Sequence, residues 1–165
     1  MSVKNNLPKI FRFICCNAVA TLLVLSFCRN SEAYRTFIDD RLIDAVSDVE
    51  SSNNPAAFKK DEGARGLTQV RPEAWDDLVR HFPGKYGSMK YERDIFKPAV
   101  ARQAARDYLN ILCGYLRQVG IPVTLDNLMS AYNWGVGNVV KYGPEKVPPG
   151  TKQYVKKIAR SLQAK

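Results

Sequence analysis

A single, mainly helical domain with a cleft and at most a very small hairpin is predicted by three features of this 165-residue sequence. Apolar residues recur at helical spacing through most of the chain beyond residue 33, and no strict alternation runs long enough for a sizeable sheet. The length suits one hydrophobic core rather than two. With 45% hydrophobic and 25% charged residues, the composition is that of a globular protein, not of a disordered, fibrous or multi-span membrane chain.

The first thirty-odd residues stand apart. Lys4, Lys9 and Arg12 precede an apolar run from about Phe13 to Phe27, and small residues around Ser31-Glu32-Ala33 follow. This is the layout of a secretory signal peptide over residues 1–33, which leaves 34–165 as the functional domain. The apolar run is shorter than the roughly 20 residues of a spanning helix, and Asn17 interrupts it. Cleavage is therefore favoured over anchoring, and Cys28, which follows Phe27 instead of a small residue, argues against lipid attachment. The expected location is the periplasm or cell envelope, with no stable membrane insertion once the signal is removed.

Signal removal takes four basic residues and one acid from a net charge of +9, leaving +6. A basic surface suits a polyanion, and for an exported protein nucleic acid is not the expected one. Cys15, Cys16 and Cys28 leave with the signal, so Cys113 has no partner for an internal disulfide. Flanked by Leu112, Tyr115 and Leu116, it reads as a buried small hydrophobe. With His81 the single histidine, neither a Cys–His nucleophile nor a zinc site is expected, and no cofactor is implied.

The elements follow in order. Ile38, Leu42, Ala45, Val46 and Val49 form an apolar stripe opposite Asp39, Asp40, Asp44 and Asp48, which predicts an amphipathic helix over 36–50 ending at Glu50. Ser51-Ser52-Asn53-Asn54-Pro55 breaks it, and the polar stretch to Gly66 reads as loop or a tiny hairpin. Pro72 and Glu73 open a second helix reaching about His81. Residues 83–96 read as loop. From Pro98, Ala101, Ala105, Tyr108, Leu112, Tyr115 or Leu116, and Val119 mark a central helix of about six turns, stopped by Gly120-Ile121-Pro122. Thr124 caps a helix carrying Leu125, Leu128, Met129 and Tyr132; a short helix covers Asn138 to Tyr142; and Thr151 caps the last, through Tyr154, Val155, Ile158 and Leu162.

Glu50 alone means little, since a glutamate at a helix end is ordinarily a solvated surface group. Its neighbours change that. Glu50-Ser51 and Asn54-Pro55 are followed by Gly63-Ala64-Arg65-Gly66-Leu67-Thr68-Gln69-Val70 with Pro72, and later by Ala131-Tyr132-Asn133-Trp134-Gly135. In this order the chain resembles the soluble lytic transglycosylases of the lysozyme-like superfamily. Ala105-Arg106-Asp107-Tyr108-Leu109, Tyr142-Gly143, Val147-Pro148-Pro149 and Tyr154-Val155 extend the resemblance over roughly residues 40–160. It implies a lysozyme-like α+β fold, peptidoglycan glycan strands as substrate and Glu50 as catalytic acid. Ser51, Gln69, Tyr132 and Asn133 are the substrate-binding candidates. Glycosidic cleavage needs a carboxyl that keeps its proton near neutral pH, hence an apolar and partly desolvated one. Amides and hydroxyls such as those of Gln69, Tyr132 and Asn133 grip N-acetyl groups and ring hydroxyls. Tyr132 also continues the stripe of Leu128 and Met129, and Ser51 also suits a helix terminus; Trp75 and Trp134 fit core or subsite equally, while Tyr142 and Tyr154 lean toward packing.

The resemblance implies a single-carboxylate mechanism. Glu50 would protonate the bond between N-acetylmuramic acid and N-acetylglucosamine, then take the muramyl 6-hydroxyl proton to close a 1,6-anhydro ring. Most glycosidases use two carboxylates. Asp61 and Glu62, in the loop before Gly63, allow a goose-type lysozyme-like alternative in which one of them activates water, although between Lys60 and Arg65 a solvated loop tip is favoured. Thr68 stands where the family commonly has methionine. A non-catalytic glycan-binding module would have no need of Glu50. A partnership with an envelope or secretion assembly is compatible with the small size.

Overall fold

The structure, a computed structural model, describes residues 38–164; the expected signal peptide over 1–33 lies outside them. Helix α1 (Asp40–Ser51) begins later than residue 36, because the Asp39 side chain caps it by accepting from the Leu42 amide at 2.9 Å. Leu42, Ile43, Ala45 and Val46 are buried along it, and Val49 is only partly so. Ser52, in the left-handed conformation, ends the helix.

The tiny hairpin is present. Strands β1 (Phe58–Lys59) and β2 (Ala64–Arg65) pair antiparallel, Phe58 opposite Arg65 and Lys59 opposite Ala64. Arg65 bridges onward to Val70, closing a tight turn at Gly66–Gln69 in which the Gln69 amide bonds Gly66 O at 3.2 Å. Gly66 has φ +75, and a Cβ there would lie 2.4 Å from the Ile95 carbonyl oxygen, so this turn requires glycine.

Helix α2 (Pro72–His81) buries Ala74, Trp75 and Leu78. The stretch 83–96, expected as loop, contains two single-turn helices, α3 (Pro83–Tyr86) and α4 (Tyr91–Asp94). Tyr86, Tyr91 and Ile95 tie it into the core around Trp75, whose ring meets Tyr86 edge-on at 5.4 Å and Tyr91 at 5.6 Å. Four-residue helices are too short to show a 3.6-residue period, which is why the sequence reads as loop.

The central helix is α5 (Pro98–Gln118), burying Ala101, Ala104, Ala105, Leu109, Leu112, Cys113 and Leu116. Val119, assigned to its buried stripe from sequence, is exposed just beyond its end. Thr124 caps α6 (Leu125–Ser130), accepting from the Asn127 amide. A π turn (Ala131–Gly135) follows and runs into α7 (Val136–Tyr142). The last helix, α8 (Pro149–Gln163), starts two residues before Thr151. Thr151 is buried inside its first turn and does not cap it; prolines 148 and 149 set the start instead. Tyr142, expected to lean toward packing, is exposed and stacks on Trp134 at 5.8 Å. Helix α8 packs along α1, with Arg41 Nη2 donating to Leu162 O (3.3 Å) and Ser161 Oγ to Asp48 Oδ2 (3.1 Å). The two ends of the described chain thus pack together. Among the described residues no helix is long and apolar enough to cross a membrane.

Candidate active site

A cavity of about 300 Å³ opens between α1, the hairpin, the start of α2, α5 and the π turn. Glu50 lines it from the last turn of α1 with its side chain only 8% exposed. Burial raises the Glu50 pKa above the usual carboxyl range; the Tyr154 hydroxyl and the cations Lys59 and Arg71 pull it back only in part. A carboxyl so placed holds its proton to higher pH than a surface glutamate. The nearest cation is Lys59, its Nζ 3.6 Å from Glu50 Oε2.

Gln69, Tyr132 and Asn133 line the same cavity, and each is held from behind. Gln69 sits at φ +48 with Nε2 donating to Gly66 O (2.8 Å) and Ala57 O (3.1 Å), while its buried Oε1 has no protein partner. An unpaired buried acceptor costs free energy. Tyr132 donates to Thr68 O at 2.8 Å and meets the Tyr108 ring edge-on at 5.9 Å. Asn133 Oδ1 accepts from Thr151 Oγ1 at 2.8 Å, which fixes the amide in the π turn. The π turn presents these two consecutive side chains to one cavity, a local widening often met at functional sites.

Thr68 has a structural task. Fully buried, it donates to Ala101 O on α5 at 3.1 Å, and its own carbonyl receives Tyr132. Ser51 does not line the cavity. Its hydroxyl donates to Leu67 O (2.7 Å), lies 3.1 Å from Ser47 O and accepts from the Asn54 amide, pinning the end of α1 to the Gly66–Gln69 turn.

Of the two loop acids, Glu62 reaches the cavity and pairs with Arg71, whereas Asp61 is not among the lining residues. Trp75 belongs to the core and Trp134 is absent from the lining. Sequence reading missed Lys59, Arg71, Glu73 and Tyr108, which also line the cavity. Tyr154, expected to lean toward packing, is buried; its hydroxyl has no hydrogen-bond partner among the described residues, and it lies near enough to Glu50 for each to perturb the other. Burial first, then the Glu50 charge, raises the phenol pKa values of Tyr132 and Tyr154, so both stay protonated donors. Burial likewise raises the Cys113 thiol to about 11, which fits a packing role.

The transglycosylase SLT domain family matches residues 27–155, a span that takes in Glu50, the Gly63–Gln69 segment, the π turn and Tyr154. The chain belongs to this family. SLT domains cleave peptidoglycan glycan strands in the cell envelope, typically as lytic transglycosylases, and the mainly helical fold with its two-stranded sheet is lysozyme-like. A comparison with curated proteins finds no match. In this SLT domain the cavity walls come from segments far apart in sequence, with the buried glutamate at their junction.

Proposed function

We propose that the protein is an exported peptidoglycan lytic transglycosylase in which Glu50 is first acid and then base. The observation that carries this reading is the buried Glu50 carboxyl, its proton affinity raised by desolvation, on the wall of a polar cavity. Protonated Glu50 delivers its proton to the glycosidic oxygen between N-acetylmuramic acid and N-acetylglucosamine, and the C1–O bond breaks. The muramyl N-acetyl oxygen carries the developing positive charge at C1. Glu50, now a carboxylate, takes the proton of the muramyl 6-hydroxyl, whose oxygen bonds to C1. The products are a free N-acetylglucosamine 4-hydroxyl and a 1,6-anhydro end, and the enzyme regains its starting protonation state. Gln69, Tyr132 and Asn133 hold the sugars, and Ser51 acts from behind by fixing the end of α1. Residues 1–33 would serve as the export signal, and an envelope or secretion assembly is a compatible setting.

Glu62 supports a second reading. It lines the cavity and would activate water in a lysozyme-like hydrolysis, but its pairing with Arg71 favours a structural use. Mass spectrometry of muropeptides released from purified walls separates the two. Anhydro ends are expected; reducing ends that have incorporated water would transfer the assignment to hydrolysis. Glu50→Gln should lower the rate by at least about 10²–10⁴-fold, the usual worth of a positioned acid or base. Undiminished wall cleavage by that variant would refute the role of Glu50, and wall binding without any released product from the wild type would point to a binding module.

A further inference from the structure

The hairpin brings a cation to the acid by strand geometry. Side chains alternate between the faces of a strand, and the cross-strand pair Phe58–Arg65 is turned one way, with the guanidinium 4.4 Å above the Phe58 ring and 5.4 Å from that of Tyr91. The other pair, Lys59 and Ala64, lines the cavity. Ala64 contributes one methyl, so the lysine stem has room beside it. Glu50 is the sole ion-pair partner of Lys59 among the described residues, whereas Arg71 is already engaged by Glu62.

The pair is built to be temporary. At 3.6 Å it lies beyond hydrogen-bond range, and the Lys59 side chain is 47% exposed. The carboxylate end is buried, so removing the ammonium while Glu50 is charged would leave an uncompensated buried charge, and the lysine departs as the carboxyl takes its proton. A glycosidic oxygen must come within roughly 2.6–3.2 Å of the acid to receive its proton, and at Oε2 it would meet the ammonium. Once the carboxyl is protonated, Lys59 can swing out into water at small cost. The sugar pair brings no cation to replace its charge.

We propose that Lys59 is the resting counter-ion of Glu50 and that a glycan strand entering the cleft displaces it, so that the acid takes up its proton as substrate binds. The idea rests on the reading of Glu50 as the acid. Lys59 is then a positioning residue for the proton, touching Glu50 rather than the reacting bond. The other ionisable groups around Glu50 are Arg71 before α2, Glu62 on the hairpin turn, Glu73 on α2, Tyr108 on α5, Tyr132 on the π turn and Tyr154 on α8. Of the two cations, Lys59 alone lacks a carboxylate of its own.

The test compares wild type, Lys59→Met and Lys59→Arg on a soluble oligomer of alternating N-acetylglucosamine and N-acetylmuramic acid whose lactyl carboxyls are blocked as amides, with kcat and kcat/KM followed against pH. In wild type the alkaline limb of kcat/KM, which reports free enzyme, should lie at lower pH than that of kcat, which reports the complex. Lys59→Met should raise the kcat/KM limb to meet the kcat limb, so that kcat/KM above the wild-type limb increases roughly threefold to tenfold. The kcat limb should stay in place, and Lys59→Arg should keep both limbs apart. Carbon-13 titration of glutamate side chains in the unliganded proteins, with Glu50 identified by its loss in Glu50→Gln, should show the same upward move without any turnover. An unchanged Glu50 titration in Lys59→Met would overturn the proposal, as would equal displacement of both limbs, which would mean that the lysine stays in place with substrate bound. Full activity of Glu50→Gln would instead remove the acid assignment, and the unliganded titration would still read the ion pair on its own.

Discussion

At the scale of single residues, the Glu50 carboxyl is placed against the interest of stability. The folded state binds its proton more tightly than the unfolded chain does, because burial raises its pKa. Wild type therefore loses stability as pH rises from the ordinary glutamate range through the raised folded-state value. Glu50→Gln has no charge to bury, so its melting temperature relative to wild type should climb over that window and be highest above it. Thermal denaturation of both proteins at about pH 4 and about pH 8 checks this; a wild type that gains on the variant as pH rises would contradict a desolvated acid. An inactive variant that melts higher would mark the residue as kept for chemistry. Glu50 was legible in the sequence because ordered motifs surround it. Lys59, Arg71 and Tyr108 were not: each reaches the cavity from a different segment, and no short motif or periodicity announces that convergence.

At the scale of elements, the hairpin and its following turn set the cleft, and Gly66 is the hinge on which they depend. Gly66→Ala would place a methyl against the Ile95 carbonyl and hold a residue with a side chain at φ +75. Left-handed backbone alone costs about 1–2 kcal/mol, and the clash adds to it, so a loss of about 2–4 kcal/mol is expected in chemical denaturation. Activity should fall further than stability accounts for, since Gln69 closes the same turn. A variant as stable and active as wild type would show that the turn tolerates a shift away from α4. Most helices were readable in advance because their apolar stripes are long, as along α1 and α5. The failures were local. Thr151 resembles a cap by residue type, but two preceding prolines start α8 earlier and turn its hydroxyl toward Asn133. The π turn escaped because one widened turn leaves the surrounding 3.6-residue pattern almost intact.

At the scale of the whole molecule, mainly helical architecture followed from pattern alone, whereas the docking of α8 against α1 is a long-range outcome that no local signal carries. The family match ends at residue 155, yet Ile158 on the next turn is fully buried. A chain stopped after Val155 would lose that side chain and the contacts of Ser161 and Leu162 with α1. Removing one buried isoleucine side chain typically costs about 2–5 kcal/mol, a large part of the roughly 5–15 kcal/mol that holds a small domain folded. The shortened chain should therefore lose its cooperative thermal transition, and an intact transition would show that the last two turns of α8 are dispensable.

The pairing of first and last helices also has a meaning in time. Glu50 lies early in the described chain, whereas Tyr154, which faces it, and Thr151, which fixes Asn133, lie on the final helix. A polypeptide made from its amino end holds the acid long before it holds the wall that desolvates that acid. Until α8 docks, Glu50 lacks its Tyr154 neighbour. On the reading of Glu50 as the acid, a nascent molecule carries the motif before the site around it is whole.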